Sequence, residues 1–326
     1  MRTEDGMITL GIIGAGIMGE RMARAALDQA ADSVRVSGIW DPAAGAMARM
    51  GAELPAIPHA ATPEALIAAA DCVYVASPPA THLEHAARAL AAGKAVFCEK
   101  PLAVDVAAAS GFVAAHAGAR AAVNFPMASS LAVATLRGWL DAGLIGAPRS
   151  LAIEVAFANW PRSWQRDAVG WLDGRAQGGF TREVVSHFLF LTRRLCGPMT
   201  LLAREASFPE AGRSERAISA TLEAGGLPVS LSGGVGTTDK DDHNTWALTG
   251  EAGAIRLRDW SVAERQLPDG TWQPDPAAMP NERMRPVVLK RQLEGVARMT
   301  AGQPHHLATL QEAFEVQMAV ERILAG

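Results

Sequence analysis

Met7-Ile8-Thr9-Leu10-Gly11-Ile12-Ile13 runs directly into Gly14-Ala15-Gly16-Ile17-Met18-Gly19. The first part is apolar with β-branched members, the composition of a short buried strand. The second has the spacing G-x-G-x-x-G. At a strand-to-helix turn Gly14 permits the tight bend, Gly16 lets the backbone approach a pyrophosphate, and Gly19 allows close helix packing. Glu20 to Ala30 is alanine-rich and predicts the helix, whose N-terminal N–H groups and dipole would face phosphate. Gly14, Gly16, Ile17, Met18 and Gly19 are therefore expected to hold a dinucleotide.

Moving outward, Val34 to Trp40 predicts a second strand ending in Asp41. Asp41-Pro42 alone reads as a turn or helix cap. After a strand and the glycines, an acid about 20 residues on is placed for a ribose 2′-hydroxyl. Asp41 would repel a 2′-phosphate and no arginine follows it directly, so NAD is favoured over NADP. Thr62-Pro63-Glu64 opens a helix with an N-cap and proline at its first position. Cys72 to Ala76 is a strand broken by Ser77-Pro78-Pro79, Thr81 to Ala92 a helix closed by Gly93, and Ala95-Val96-Phe97-Cys98 a strand that stops at Glu99-Lys100-Pro101-Leu102. Asp105 caps a helix to about Gly118, and Ala121 to Asn124 is a last strand. This alternation predicts a doubly wound parallel sheet over residues 1–124, with a second domain over 125–326. Ligands bind beyond the carboxyl ends of such strands, which makes Lys100 a candidate catalytic group. Tyr74, mid-strand, reads as core.

Ser77-Pro78-Pro79 with His82, then Ala89-Leu90, Gly93-Lys94-Ala95-Val96 and Glu99-Lys100-Pro101-Leu102 resemble, in order and spacing, the glucose-fructose oxidoreductase, inositol dehydrogenase and rhizopine-catabolism (Gfo/Idh/MocA) family of nicotinamide-dependent oxidoreductases. The resemblance implies a Rossmann domain followed by an α+β domain with an open sheet whose exposed face serves homo-oligomer contact. It also implies that Ser77 and Pro78 line the cofactor's ribose and phosphates, that Glu99 bonds the nicotinamide-side ribose, and that Lys100 touches cofactor and substrate. His82, a single histidine at a helix start, is expected to serve the helix and not the chemistry.

In the second half, Ser129 to Asp141 predicts a helix, Gly143 to Gly146 a turn, and Arg149 to Phe157 an alternating strand. Strand-like runs at Ala217 to Glu223, Val229 to Leu231, Trp246 to Thr249 and Ala254 to Leu257 are separated by few helices, so the sheet should be largely antiparallel. The loop from Asn159 to Arg175 is aromatic and polar. Its Trp160 and Trp164 either face a sugar or polyol or pack as a lid, and Asn124 is a further substrate candidate. After Gly178-Gly179-Phe180, a helix from Thr181 to Leu195 carries Glu183 and His187 on one face, about 6 Å apart at Cβ. A carboxylate there can orient an imidazole. The family pattern has aspartate where Glu183 stands, often a second acid where Phe190 stands, and in many members basic residues where this chain has Phe125-Pro126-Met127.

The 326 residues suffice for two domains, and a net charge of −4 without a Lys/Arg run argues against a nucleic-acid or anionic-membrane surface. The expected ligand is a small molecule. Cys72, Cys98 and Cys196 form no C-x-x-C pair and no zinc spacing, which points to a reducing compartment. Met1 to Gly6 is polar and unlike a secretory signal, and no run approaches the roughly 20 apolar residues of a membrane span. A cytoplasmic protein is expected. Leu310 to Leu324 is an amphipathic helix, and His305-His306 before it lacks carboxylates, so no metal site is expected. Together these features predict an NAD-dependent dehydrogenase or reductase acting on a secondary alcohol or ketone, a sugar, polyol or cyclic derivative. In it His187 is the general base, Lys100 stabilises the alkoxide and Glu183 orients the imidazole. The resemblance leaves open a regulator that keeps the fold and cofactor without chemistry, and a redox-neutral NAD-dependent glycosidase.

Overall fold

The computed structural model describes residues 7–325, apart from the side chains of residues 166–169, so the reading of Met1 to Gly6 concerns residues outside it. The first half alternates as expected: β1 (Ile8–Ile13), α1 (Ile17–Asp28), β2 (Val34–Trp40), α2 (Ala44–Glu53), α3 (Pro63–Ala69), β3 (Cys72–Val75), α4 (His82–Ala91), β4 (Ala95–Cys98), α5 (Val106–Ala115) and β5 (Ala121–Val123). Local chemistry sets several of these boundaries. Thr62 Oγ1 accepts from Ala65 N at 3.1 Å with Pro63 behind it, and Asp105 Oδ1 accepts from Ala108 N at 2.6 Å.

The five strands form one parallel sheet in the order β2-β1-β3-β4-β5. The chain reverses its direction of travel at β1, so the crevice beyond β1 and β3 is the switch point where such sheets bind ligands. β3 and β4 are buried at every position, as central parallel strands must be with both faces covered.

The second half contains α6 (Leu131–Asp141), β6 (Pro148–Phe157), α7 (Val169–Leu172), α8 (Ser186–Cys196), β7 (Met199–Ser207), β8 (Ala217–Ala224), β9 (Leu227–Val235), β10 (His243–Gly250), β11 (Ala254–Arg258), β12 (Val262–Gln266), β13 (Trp272–Pro274), α9 (Asn281–Thr300) and α10 (Leu310–Leu324). Its eight strands run β13-β12-β11-β10-β6-β9-β8-β7. All neighbours are antiparallel except β6 and β9, which pair in parallel from Leu151–Val229 to Phe157–Val235. β8 is buried at every second residue, the mark of a sheet covered on one face. Trp246, inside the core, donates Nε1–H to Thr192 Oγ1 at 2.9 Å and so ties β10 to α8.

The division of the chain differs from a single cut after Asn124. One compact unit holds the residues up to Ser129 together with Pro286–Phe314, and the other holds Ser130–Arg285 and the residues from Glu315 on. α9 was not foreseen. Its Leu289, Leu293, Val296 and Met299 complete the core around Leu10, Ile12, Met22, Tyr74 and Phe97 of the first unit. No helix among the described residues is long and apolar enough to cross a membrane.

Candidate active site

The glycine loop has the shape a dinucleotide needs. Gly14 has φ +107°, and a Cβ on it would lie 2.5 Å from the Ala76 carbonyl carbon and 2.7 Å from Ser77 N. A Cβ on Gly19 would lie 1.8 Å from Gly14 O, so α1 can start this close to the loop only with glycine there. At Gly16 the equivalent direction is empty to 4 Å, which leaves the backbone open to a phosphate where α1 begins. Ile17 and Met18 form the first turn of that helix. Asp41, at the end of β2, accepts from Ala15 N (2.8 Å) through Oδ2 and from Ala43 N (2.8 Å) through Oδ1. The acid thereby ties the glycine loop to the end of β2. Ser77 follows β3, and its Oγ receives the Thr81 hydroxyl at 2.8 Å, while Pro78 precedes the turn into α4.

Glu99 sits where β4 ends and is 8% exposed. Its Oε1 accepts from the Tyr74 hydroxyl and from Asn124 Nδ2 at 2.6 Å, and Asn124 Oδ1 in turn accepts from Gln292 Nε2 of α9. Burial, then the Glu99 charge, hold the Tyr74 phenol well above its usual range, so it stays a donor. Tyr74 lies in the core as expected, but its hydroxyl also works for Glu99. Asn124, expected as a substrate contact, is 1% exposed and spends its amide on Glu99 and Gln292. Gln292 had no local signal in the sequence. Lys100, half-buried, follows with its peptide N 3.3 Å from Glu99 Oε2.

In the second unit Glu183 and His187 stand at the start of one helix, Glu183 half-buried and His187 8% exposed. The first turn, Thr181–Val185, is a π-helical turn that continues into α8. Single π turns of this kind occur often at functional sites. The double glycine before it has a cause in packing. A Cβ on Gly178 would lie 2.1 Å from Leu172 O, and one on Gly179, at φ +101°, 2.2 Å from Glu215 Oε2. Glu215 is 1% exposed, accepts from Thr181 N at 2.7 Å, and has its carboxyl pushed up by burial. Arg182 fixes the same turn through Glu321 at 2.7 Å and Gly178 O at 2.7 Å. Sequence reading missed Glu215. Phe190 is buried with the Arg194 guanidinium 4.8 Å from its ring centre.

Trp260 stands edge-on to His187 with ring centres 5.5 Å apart and also contacts Phe188. It and Asp259 have φ of +72° and +46°, a conformation that non-glycine residues rarely take. Asn244 holds this turn: its Oδ1 accepts from Trp260 N at 3.1 Å and its O from Asp259 N at 2.9 Å. Such strain persists only where the surroundings over-determine it.

The aromatic loop divides in two. Trp160 is 7% exposed, packs edge-on to Phe157, and donates to Leu172 O at 3.3 Å, whereas Trp164 is 46% exposed with Arg162 4.8 Å from its ring centre. A cavity of about 550 Å³ in this unit is lined by Arg137, Asp141, Arg149 and Cys196 and holds none of the expected site residues. Among the described residues no cluster of three or more His, Cys, Asp or Glu could hold a metal ion.

Residues 8–125 match the profile of the oxidoreductase family with an NAD-binding Rossmann fold known as GFO_IDH_MocA. That match is confined to the nucleotide-binding part of the chain. The inositol 2-dehydrogenase of Klebsiella pneumoniae strain 342 is 38% identical over 152 residues, a match that spans 44% of each chain and so less than half of the relative's length. Over whole chains the likeness is one of fold. An oxidoreductase from Thermotoga maritima superposes with TM-score 0.83 at 16% identity, covering 98% of this chain and 96% of that one. An oxidoreductase from Agrobacterium radiobacter, solved with NAD+, L-tartaric acid and magnesium, gives TM-score 0.80 at 17% identity over 98% and 96%.

Proposed function

We propose that this chain is a member of the Gfo/Idh/MocA family and an NAD-dependent dehydrogenase that oxidises a secondary alcohol of a sugar, polyol or cyclic derivative, or reduces the corresponding ketone. The reading rests above all on Glu99-Lys100, a carboxylate and an amine placed where β4 ends in the unit that carries the glycine loop. When bound, NAD supplies the hydride acceptor. Gly14, Gly16 and Gly19 with the start of α1 hold its phosphates, and Asp41 takes the adenosine ribose. The Asp41 carboxylate disfavours the additional phosphate of NADP.

His187 takes the proton from the reacting hydroxyl, work suited to an imidazole near neutral pH. Glu183 orients the ring, one methylene longer than the aspartate of the family pattern. Lys100 stabilises the negative charge that develops on the oxygen. Trp260 walls His187 with an apolar face that suits the C–H side of a ring polyol. The short side chains on the open face of the second sheet, Ser219, Thr221, Ser230 and Ser232, favour contact with a second copy of the chain.

The test is NADH formation from NAD across aldoses, polyols and inositols, with the Lys100→Ala variant alongside. Activity that collapses in the variant supports the enzyme. NADH binding without turnover in the wild type speaks for a regulator, and NAD retained through a redox-neutral conversion speaks for a glycosidase.

A further inference from the structure

His82 opens α4 with its side chain 1% exposed, and both ring nitrogens face backbone carbonyls. Nδ1 lies 2.8 Å from Pro101 O and Nε2 lies 2.7 Å from Ser77 O. A carbonyl oxygen only accepts. A neutral imidazole has one N–H, so a neutral ring would satisfy one carbonyl and turn a lone pair on the other; an imidazolium donates to both.

The two carbonyls belong to segments that matter to the site. Pro101 follows Lys100 directly, and the Ala76–Ser77 peptide is the surface against which Gly14 closes, with Ser77 N 2.7 Å from where a Cβ on Gly14 would be. One buried ring therefore links the end of β4, the end of β3 and, through Ser77, the glycine loop.

We propose that His82 is a positioning residue for Lys100, which as an imidazolium grips the Ser77 and Pro101 carbonyls together and sets the lysine's backbone against the cofactor loops. The proposal rests on the reading of those loops as the NAD site. Acting on the ring, burial disfavours the charged form most. The two carbonyls favour it, and Lys100 beyond β4, together with His85 on α4 whenever that ring is itself protonated, opposes it. The acids nearest along the chain are engaged elsewhere: Glu84 pairs with Arg88 at 2.8 Å, and Glu99 with Tyr74 and Asn124. In the cofactor-free chain the balance keeps the ring's pKa below the usual histidine range. An anionic dinucleotide in the same loops shifts the balance toward the imidazolium. NADH binding then takes up as much as one proton from solvent onto His82, and NADH affinity falls as pH rises from the pKa of the free chain to that of the bound form, above which it levels off.

The experiment is a titration of histidine-¹⁵N-labelled protein with NADH, from about pH 5.5 to 8, the His82 signals being assigned by their loss in His82→Gln. In saturated wild-type protein both ring nitrogens should take the imidazolium shift at a pH where the free chain is neutral. Since a glutamine amide cannot donate in both directions, His82→Gln should bind NADH about tenfold more weakly at low pH, with a flatter pH profile. A His82 ring that stays neutral in the saturated protein, or a variant with wild-type affinity and pH profile, overturns the clamp. Absence of NADH binding at every pH overturns the cofactor reading and the clamp with it, a result distinct from NADH binding beside a neutral ring.

Discussion

The Tyr74 hydroxyl donates to Oε1 of Glu99, so the carboxylate at the end of β4 is held from inside the sheet by the neighbouring strand. Tyr74→Phe keeps the ring that stacks on Phe97 and removes only this donor. A hydrogen bond to a buried charge contributes about 1.5–3 kcal/mol, and the variant should lose stability of that order in urea unfolding. It should also bind NADH several-fold more weakly. Wild-type unfolding would mean that Asn124 alone suffices to hold Glu99.

His187→Ala removes the group proposed to take the substrate proton. General-base catalysis is worth about 10²–10⁴-fold, so turnover should fall by at least that lower factor. NADH binding should be unchanged, because the nucleotide loops belong to the other unit. Steady-state rates beside a fluorescence titration of NADH separate the two effects; undiminished turnover would remove His187 from the chemistry.

Glu215→Gln should change how stability depends on pH. Burial raises the Glu215 carboxyl above the ordinary glutamate range in the folded chain. Between the unfolded and the raised folded value, the native state binds more protons than the unfolded one, so this group's contribution falls as pH rises through that window. Glutamine keeps an oxygen for Thr181 N and carries no charge. Urea unfolding at successive pH values should show wild type losing stability relative to the variant from about pH 4.5 upward. Parallel curves would contradict the assignment.

Gly179→Ala meets two obstacles at once, a φ of +101° and the Glu215 carboxylate 2.2 Å from the new Cβ. Backbone strain of this kind costs about 1–3 kcal/mol, and the displaced turn carries Glu183. Thermal unfolding should shift down, and turnover should drop more than NADH affinity. A variant equal to wild type in both would mean that this turn does not position the pair.

Much of the first unit was legible because its signals are local. A cap such as Asp105, a proline behind Thr62, and an apolar run ending at Gly14 act within a few residues, where spacing and propensity decide. The largely antiparallel sheet was legible from strand-like runs that few helices separate, whereas its open face was implied by the family resemblance and is seen in β8, buried at every second residue. α9 was harder to see: Pro286 interrupts it and Arg283, Arg285, Lys290, Arg291, Glu294 and Arg298 surround its apolar stripe. The helix forms because Leu289, Leu293, Val296 and Met299 find a core that the N-terminal strands supply.

The candidate site divides along the same line. Residue order alone placed the glycines, Asp41, Ser77, Glu99, Lys100, Glu183 and His187 in their elements, because each lies at an element end that neighbouring residues define. The partners came from tertiary packing. Gln292 reaches Asn124 across 168 residues, Glu215 reaches Thr181 across 34, and His82 joins Pro101 19 residues away to Ser77. Periodicity and propensity describe how a segment presents its side chains; which distant donor meets which buried acceptor depends on how strands and helices pack, since a buried polar group must be satisfied by whatever the fold brings to it.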